Sequence, residues 1–169
     1  MTQKPLAIIQ GTLDIVPPLV SADDTWSIPL RVTNSSPKQH RNAVYKIARY
    51  FREELRYDFV QYSTGEKETE SSLVAFLWLV PKARHLSNDF RVPAIGATCF
   101  RWREWQDHPA GWAMDWIWLH PYFRRQGLLS ASWLKFKDEF GDFICEHPIS
   151  ESMKSFLLKV GHRQPGFPT

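Results

Sequence analysis

Cysteine is scarce in this chain: two in 169 residues, Cys99 and Cys145, each set inside an apolar run. That excludes a disulfide framework and leaves two buried thiols as the expectation. Long apolar runs are missing too. The longest, Leu73 to Val80, falls far short of the roughly 20 residues that cross a bilayer as a helix. Met1-Thr2-Gln3-Lys4 leads into Pro5 with no signal-peptide core, so a cytoplasmic protein with no membrane partner is expected. Neither sign of charge dominates: 21 Lys and Arg against 18 Asp and Glu leave a net charge of +3. Such a balance permits an anionic cofactor or a nucleic acid without demanding one. The six histidines show no paired spacing with Cys or carboxylates, so no metal is expected. Walker and Gly-x-Ser-x-Gly patterns, repeats and low-complexity tracts are all absent.

Aromatic rings, by contrast, are plentiful, with 8 Trp and 11 Phe. Burial tendencies assign most of them to a core; the alternative is a groove lined by rings. The length fits a single domain, 1–169. Residues 1–35 form a proline-punctuated arm with two β-leaning runs, Leu6–Val16 and Trp26–Val32, suited to edge strands. The core of the domain is expected over 36–162. Ser36, Pro37 and Gln39 have the spacing of a helix start with a capping box. Val44, Ile47, Ala48, Phe51 and Leu55 then recur on one helical face. The other faces carry Lys38, Arg41, Lys46, Arg49, Arg52 and Arg56. These cations either solvate the helix or form a binding surface, and Glu53 and Glu54 dilute the run in favour of solvation.

After a polar, acidic loop from Gln61 to Ser72, three strands are expected at Leu73–Val80, Ala94–Arg103 and Trp112–Leu119, joined as an antiparallel meander. The period then switches. Leu129, Trp133, Phe136 and Phe140 lie at helical spacing, with Gly141 placed to stop the helix. Asp142–Glu146 reads as a short strand ended by Pro148. Ser150 can cap a last helix with Met153, Phe156, Leu157 and Val160 inward and Gly161 as its stop. The fold class expected is α/β, more narrowly α+β, with a largely antiparallel mixed sheet flanked by helices.

The most informative stretch runs from Trp116 to Trp133. A buried strand ends at Pro121, and Arg124-Arg125-Gln126-Gly127-Leu128-Leu129 delivers the chain into an amphipathic helix. The first N–H groups of such a helix have no partner within it and lie at the positive end of its dipole. An anion such as a pyrophosphate fits there. Gly127 lets a phosphate approach the backbone, and two guanidinium groups add charge.

This stretch resembles the central motif of the GNAT superfamily of N-acetyltransferases, in which a strand leads through Val-x-Pro-x-x-Arg-x-x-Gly-x-Gly/Ala to a helix. Leu119, Pro121, Arg124 and Gly127 match, while Leu129 replaces the second small residue. Met153 to His162 resembles the family's later pattern Ala-x-x-Phe-Tyr-x-Lys-x-Gly-Phe, keeping Phe156, Lys159 and Gly161, with Leu157 where the family often has a tyrosine acid. The Trp118-Leu119 and Arg124-Arg125 pairs are faintly similar to the cohesin-acetyltransferase branch, without its preceding zinc-finger spacing. The family usually adds two strands after the last helix. Here only His162–Thr169 follows, so the N-terminal runs or a partner subunit are expected to complete the sheet.

The resemblance implies an enzyme that moves an acetyl group from acetyl-CoA, as co-substrate, to an amine by direct attack in a ternary complex. It implies cofactor binding by Trp118, Leu119, Arg124, Arg125, Gln126, Gly127, Leu128, Leu129, Ser130 and Lys159. Asp115, on the strand where the family places its carboxylate and on the face of Ile117 and Leu119, is the first candidate base, and Glu146 the second. Desolvation in an aromatic setting raises a carboxylate's pKa and suits that role; an ion pair or a turn hydrogen bond is the alternative for both. Ser152 or Ser150 is the substitute acid, with helix capping the favoured role for Ser150. Cys145 and His147 share a strand face but lack an orienting third group, so a structural thiol is expected. The acceptor is an amine on a protein or small molecule. The competing reading is an inactive binding module that holds nucleic acid or a protein through its basic helix. A homo-oligomer is a third.

Overall fold

A computed structural model of the chain describes residues 15–21, 29–64, 69–80 and 91–164. The fold is α+β. Its strands are β1 (Leu19–Ser21), β2 (Leu30–Val32), β3 (Leu73–Leu79), β4 (Arg91–Arg103), β5 (Gly111–Leu119) and β6 (Ile144–Cys145). Its helices are α1 (Lys38–Leu55), α2 (Leu128–Phe140) and α3 (Glu151–Lys159). The sheet runs β2-β3-β4-β5-β6, with β1 paired to the start of β4. β3, β4 and β5 form the antiparallel meander, and β6 lies parallel to β5. Parallel neighbours need a crossover, which α2 supplies.

Of the expected N-terminal strands, Leu6–Asp14 and Trp26–Ile28 lie outside the described residues. Leu30–Val32 extends the β3 edge. Leu19–Ser21, not expected as a strand, pairs with Arg91–Pro93. β3 takes the opposite edge of β4 there, with Val80 N donating to Pro93 O at 3.0 Å, so β1 continues the line of β5.

The sheet is covered on both faces, which is why β3 can be apolar at every position. Leu73, Ala75, Leu77 and Leu79 face α1, where Ala43, Val44, Ile47, Ala48 and Phe51 are buried. Val74, Phe76 and Trp78 face α2 and α3, beside Trp133, Phe136 and Leu157. Rings fill this second core: Phe100 stacks on Phe140 with centroids 4.1 Å apart, and Phe76 lies 4.9 Å from Phe136. Leu55, expected on the inner face of α1, is instead 45% exposed at the helix end.

Local chemistry sets the helix ends. The capping box at Ser36 does not form, because the Ser36 hydroxyl accepts from Thr33 N at 2.9 Å in the preceding turn. Pro37 is the cap residue and makes no side-chain cap bond. Ser150 does cap α3, accepting from Met153 N at 3.2 Å. Gly141 and Gly161 follow α2 and α3 at φ +65°. At the outer edge of β6, Gln164 takes the place of a neighbouring strand. Its Oε1 accepts from Cys145 N at 2.7 Å and its Nε2 donates to Cys145 O at 3.1 Å.

Candidate functional site

β6 pairs with only Ala113 and Met114, and Glu146 N donates to Met114 O at 3.0 Å. β5 runs on to Leu119 with β4 along one edge and, among the described residues, no strand along the other. A cleft of about 770 Å³ opens at that edge. Its walls are Ile117–Leu119, the loop and first turn of α2, Ser150 to Phe156 at the start of α3, and Phe51, Glu54 and Leu55 at the end of α1. Its size is that of a small-molecule site. A second hollow, between Arg41 and Tyr62, holds about 10 Å³, room for one water.

The loop feeding α2 has an unusual backbone. Arg125 takes φ +62° and Gly127 φ +82°. Ala131 N bonds back to Gly127 O at 2.9 Å, and no side chain caps the helix. The amides of Leu128, Leu129 and Ser130, ahead of that bond, belong to the turn that lines the cleft. Left-handed residues beside a helix start make the kind of backbone concavity that receives anions. A Cβ on Gly127 would meet nothing within 4 Å. The backbone angle calls for glycine there; crowding by the protein does not.

Most of the residues singled out for a cofactor lie together. Trp118, Leu119, Arg124, Arg125, Gly127, Leu128, Leu129 and Ser130 all line the cleft, as do Ser150 and Ser152. Gln126 does not; its Nε2 donates to Tyr122 O at 2.8 Å. Lys159 is exposed in the last turn of α3, away from the lining. Leu157 is fully buried in the second core, so the position compared with a tyrosine does not face the cleft.

The two candidate bases lie elsewhere. Cys99 pairs with Trp116 and Phe100 with Met114, so Asp115 is the extra residue of a β-bulge. The bulge upsets simple alternation. Ile117 and Leu119 pack toward α2 and α3, whereas the Asp115 carboxylate meets Arg101 Nε and Arg103 Nη2, each at 2.8 Å. Its side chain is only 1% exposed. Glu146 sits 3.6 Å from Arg103 and accepts weakly from Trp105 Nε1 at 3.4 Å. Arg103 therefore joins both carboxylates in one cluster that forms no part of the cleft lining.

Cys145 is buried while His147 is exposed. Burial chiefly pushes the Cys145 thiol up to about 12, which removes the thiolate a nucleophile needs. Among the described residues no three of His, Cys, Asp and Glu gather as a metal would require, and no helix is long and apolar enough to cross a membrane.

Glu54 was not anticipated in the site. It stands on α1, 70 residues before the arginine it meets, and reading along the chain shows only its dilution of a basic run. Tyr122, 67% exposed, and Met153 also line the cleft.

No family model and no curated protein matches this sequence. Among solved structures, 38 chains match. One is a mutant of the BH1408 protein from Bacillus halodurans, with a TM-score of 0.51 over 83% of this chain and 96% of that one. At 7% identity it is similar in fold alone.

Proposed function

We propose that this protein is an acetyl-CoA-dependent N-acetyltransferase of the GNAT type. The observation that carries this reading is the parting of β5 from β6 after Met114, which opens the 770 Å³ cleft onto the uncapped first turn of α2. The Gly127–Ser130 amides and Arg125 would hold the pyrophosphate. The free edge Ile117–Leu119 would pair with the amides of the pantetheine arm, and Leu129, Met153 and Phe156 would shield the thioester from water. Transfer forms an N–C bond and breaks a C–S bond; the amine gives up a proton and the thiolate takes one up. Ser152, in the cleft wall, is the candidate donor of that proton. Asp115 and Glu146 fit a role in holding β5 better than one at the reacting atoms.

Those same carboxylates favour a second reading, a cleft that binds without turnover. One experiment separates the two. Saturable binding of acetyl-CoA, seen as a melting temperature that climbs with ligand, together with an acetylated amine product by mass spectrometry, supports the enzyme. Binding without product supports the binding module. With no binding at millimolar acetyl-CoA, both are abandoned.

A further inference from the structure

Arg124 lines the cleft beside Arg125, but its guanidinium is already engaged. Nη1 meets Glu54 Oε1 at 2.8 Å and Nη2 meets Oε2 at 2.6 Å, a two-pronged pair. Its Nε donates to the Leu119 carbonyl at 2.7 Å. Trp118 completes the arrangement from β5: its Nε1 donates to Glu54 Oε2 at 2.6 Å, and its ring centre lies 5.7 Å from the guanidinium carbon. Three elements that are distant in sequence meet here, and Glu54, Trp118 and Arg124 all face the cleft. Arg125 is exposed and makes no ion pair among the described residues.

We propose that Glu54 is the residue that sets how strongly this cleft binds an anionic ligand. It cancels the charge of Arg124, leaving Arg125 and the α2 amides as the anion's contacts. The inference rests on the reading of the α2 loop as a phosphate site. An arginine held in a planar fork by a carboxylate presents a dipole to its surroundings, whose attraction fades faster than that of a free cation. Any phosphate that approaches Arg124 also meets the negative charge of Glu54. Glu54 is therefore a positioning and affinity-setting residue: it ties the loop to α1 and weakens the pull on the ligand, which favours release of the spent cofactor.

The test is calorimetric binding of CoA at low and at physiological salt to the wild type, E54Q, R124Q, R125Q and the double variant E54Q/R124Q. E54Q frees Arg124 and is expected to bind about three- to tenfold tighter, with a steeper loss of affinity as salt is added. R125Q should bind weaker by a similar factor, and so should R124Q, because it bares the Glu54 carboxylate beside the anion. The gain of E54Q should vanish in the double variant, which a merely structural role for Glu54 would not produce. If E54Q folds and gains nothing, or the double variant binds as weakly as R124Q, the inference is overturned while the phosphate reading stands. The comparison of R124Q with the double variant, which should return to near wild-type affinity, decides the matter even if E54Q melts early. If none of the proteins binds CoA, the inference and the reading beneath it both fall.

Discussion

Gly96 on β4 lies directly against Leu119 on β5. The two are cross-strand partners, and a Cβ added at Gly96 would collide with the Leu119 side chain and stand 2.8 Å from the Trp118 carbonyl oxygen. The missing side chain lets the end of β5 settle where its free edge forms a cleft wall. Gly96→Val must push that end away. It is expected to cost about 1–3 kcal/mol in urea denaturation and to shrink the thermal upshift given by acetyl-CoA. A variant that unfolds and binds like the wild type would show that the close approach has no such role.

Gly127 is a different case, since its φ of +82° faces open space. Gly127→Ala suffers no collision but places an L-residue in the left-handed region, at about 1–2 kcal/mol. Stability should fall by that amount, and CoA affinity by more, because the α2 amides move as the loop relaxes. Gly127→Asn, which tolerates the conformation better, should recover part of both. Equal CoA affinity for all three proteins would count against the loop as the anion site.

Asp115 holds two arginines from inside the sheet. Asp115→Asn leaves them without their counter-charge and is expected to destabilise by about 2–3 kcal/mol, less than for a fully buried pair because both arginines reach solvent. CoA binding by the folded protein should change little. If stability is retained and acetyl transfer collapses, the residue belongs at the reacting atoms after all.

His162 gives the fold an acid sensitivity. It packs against Trp133 and Phe143, and among the described residues neither ring nitrogen completes a hydrogen bond. Burial chiefly, with the Lys137 ammonium second, holds its pKa below the usual 6.5, although Gln164, Asp142 and the Phe143 backbone lie on the side that raises it. A lowered folded-state pKa means that the neutral ring favours folding. That contribution is complete above pH 6.5 and is lost as the pH falls through the folded value. Over that window one proton costs at most about 1.4 kcal/mol per pH unit. His162→Phe should flatten the difference in unfolding free energy between pH 7.5 and pH 5; an unchanged difference would assign the acid sensitivity to other groups.

What could be read along the chain was whatever is fixed by near neighbours. The α2 loop is such a case, since Gly127, the helix start and Gly141 follow from backbone chemistry within one segment. The apolar stripe of α1 and the unbroken apolar run of β3 are others. The bulge at Asp115 could not be read, because it exists only as a mismatch between two strands, and periodicity placed the carboxylate on the wrong face. Glu54 was hidden for the same reason: its meaning depends on an arginine in another element. Ser36 failed as a cap because a nearer amide, that of Thr33, took its hydroxyl.

The amide of Gln164 is a peptide group borrowed from a side chain, and among the described residues it makes the bonds drawn from Cys145 toward that edge. Two hydrogen bonds of about 0.5–1.5 kcal/mol each are weak beside the 5–15 kcal/mol that typically holds a domain together. The sheet margin is thus guarded by a latch that can lift while the rest of the molecule stays folded. A glutamate there would still accept from the Cys145 N–H, but it would give up the donor that meets the Cys145 carbonyl and set a charged oxygen against it.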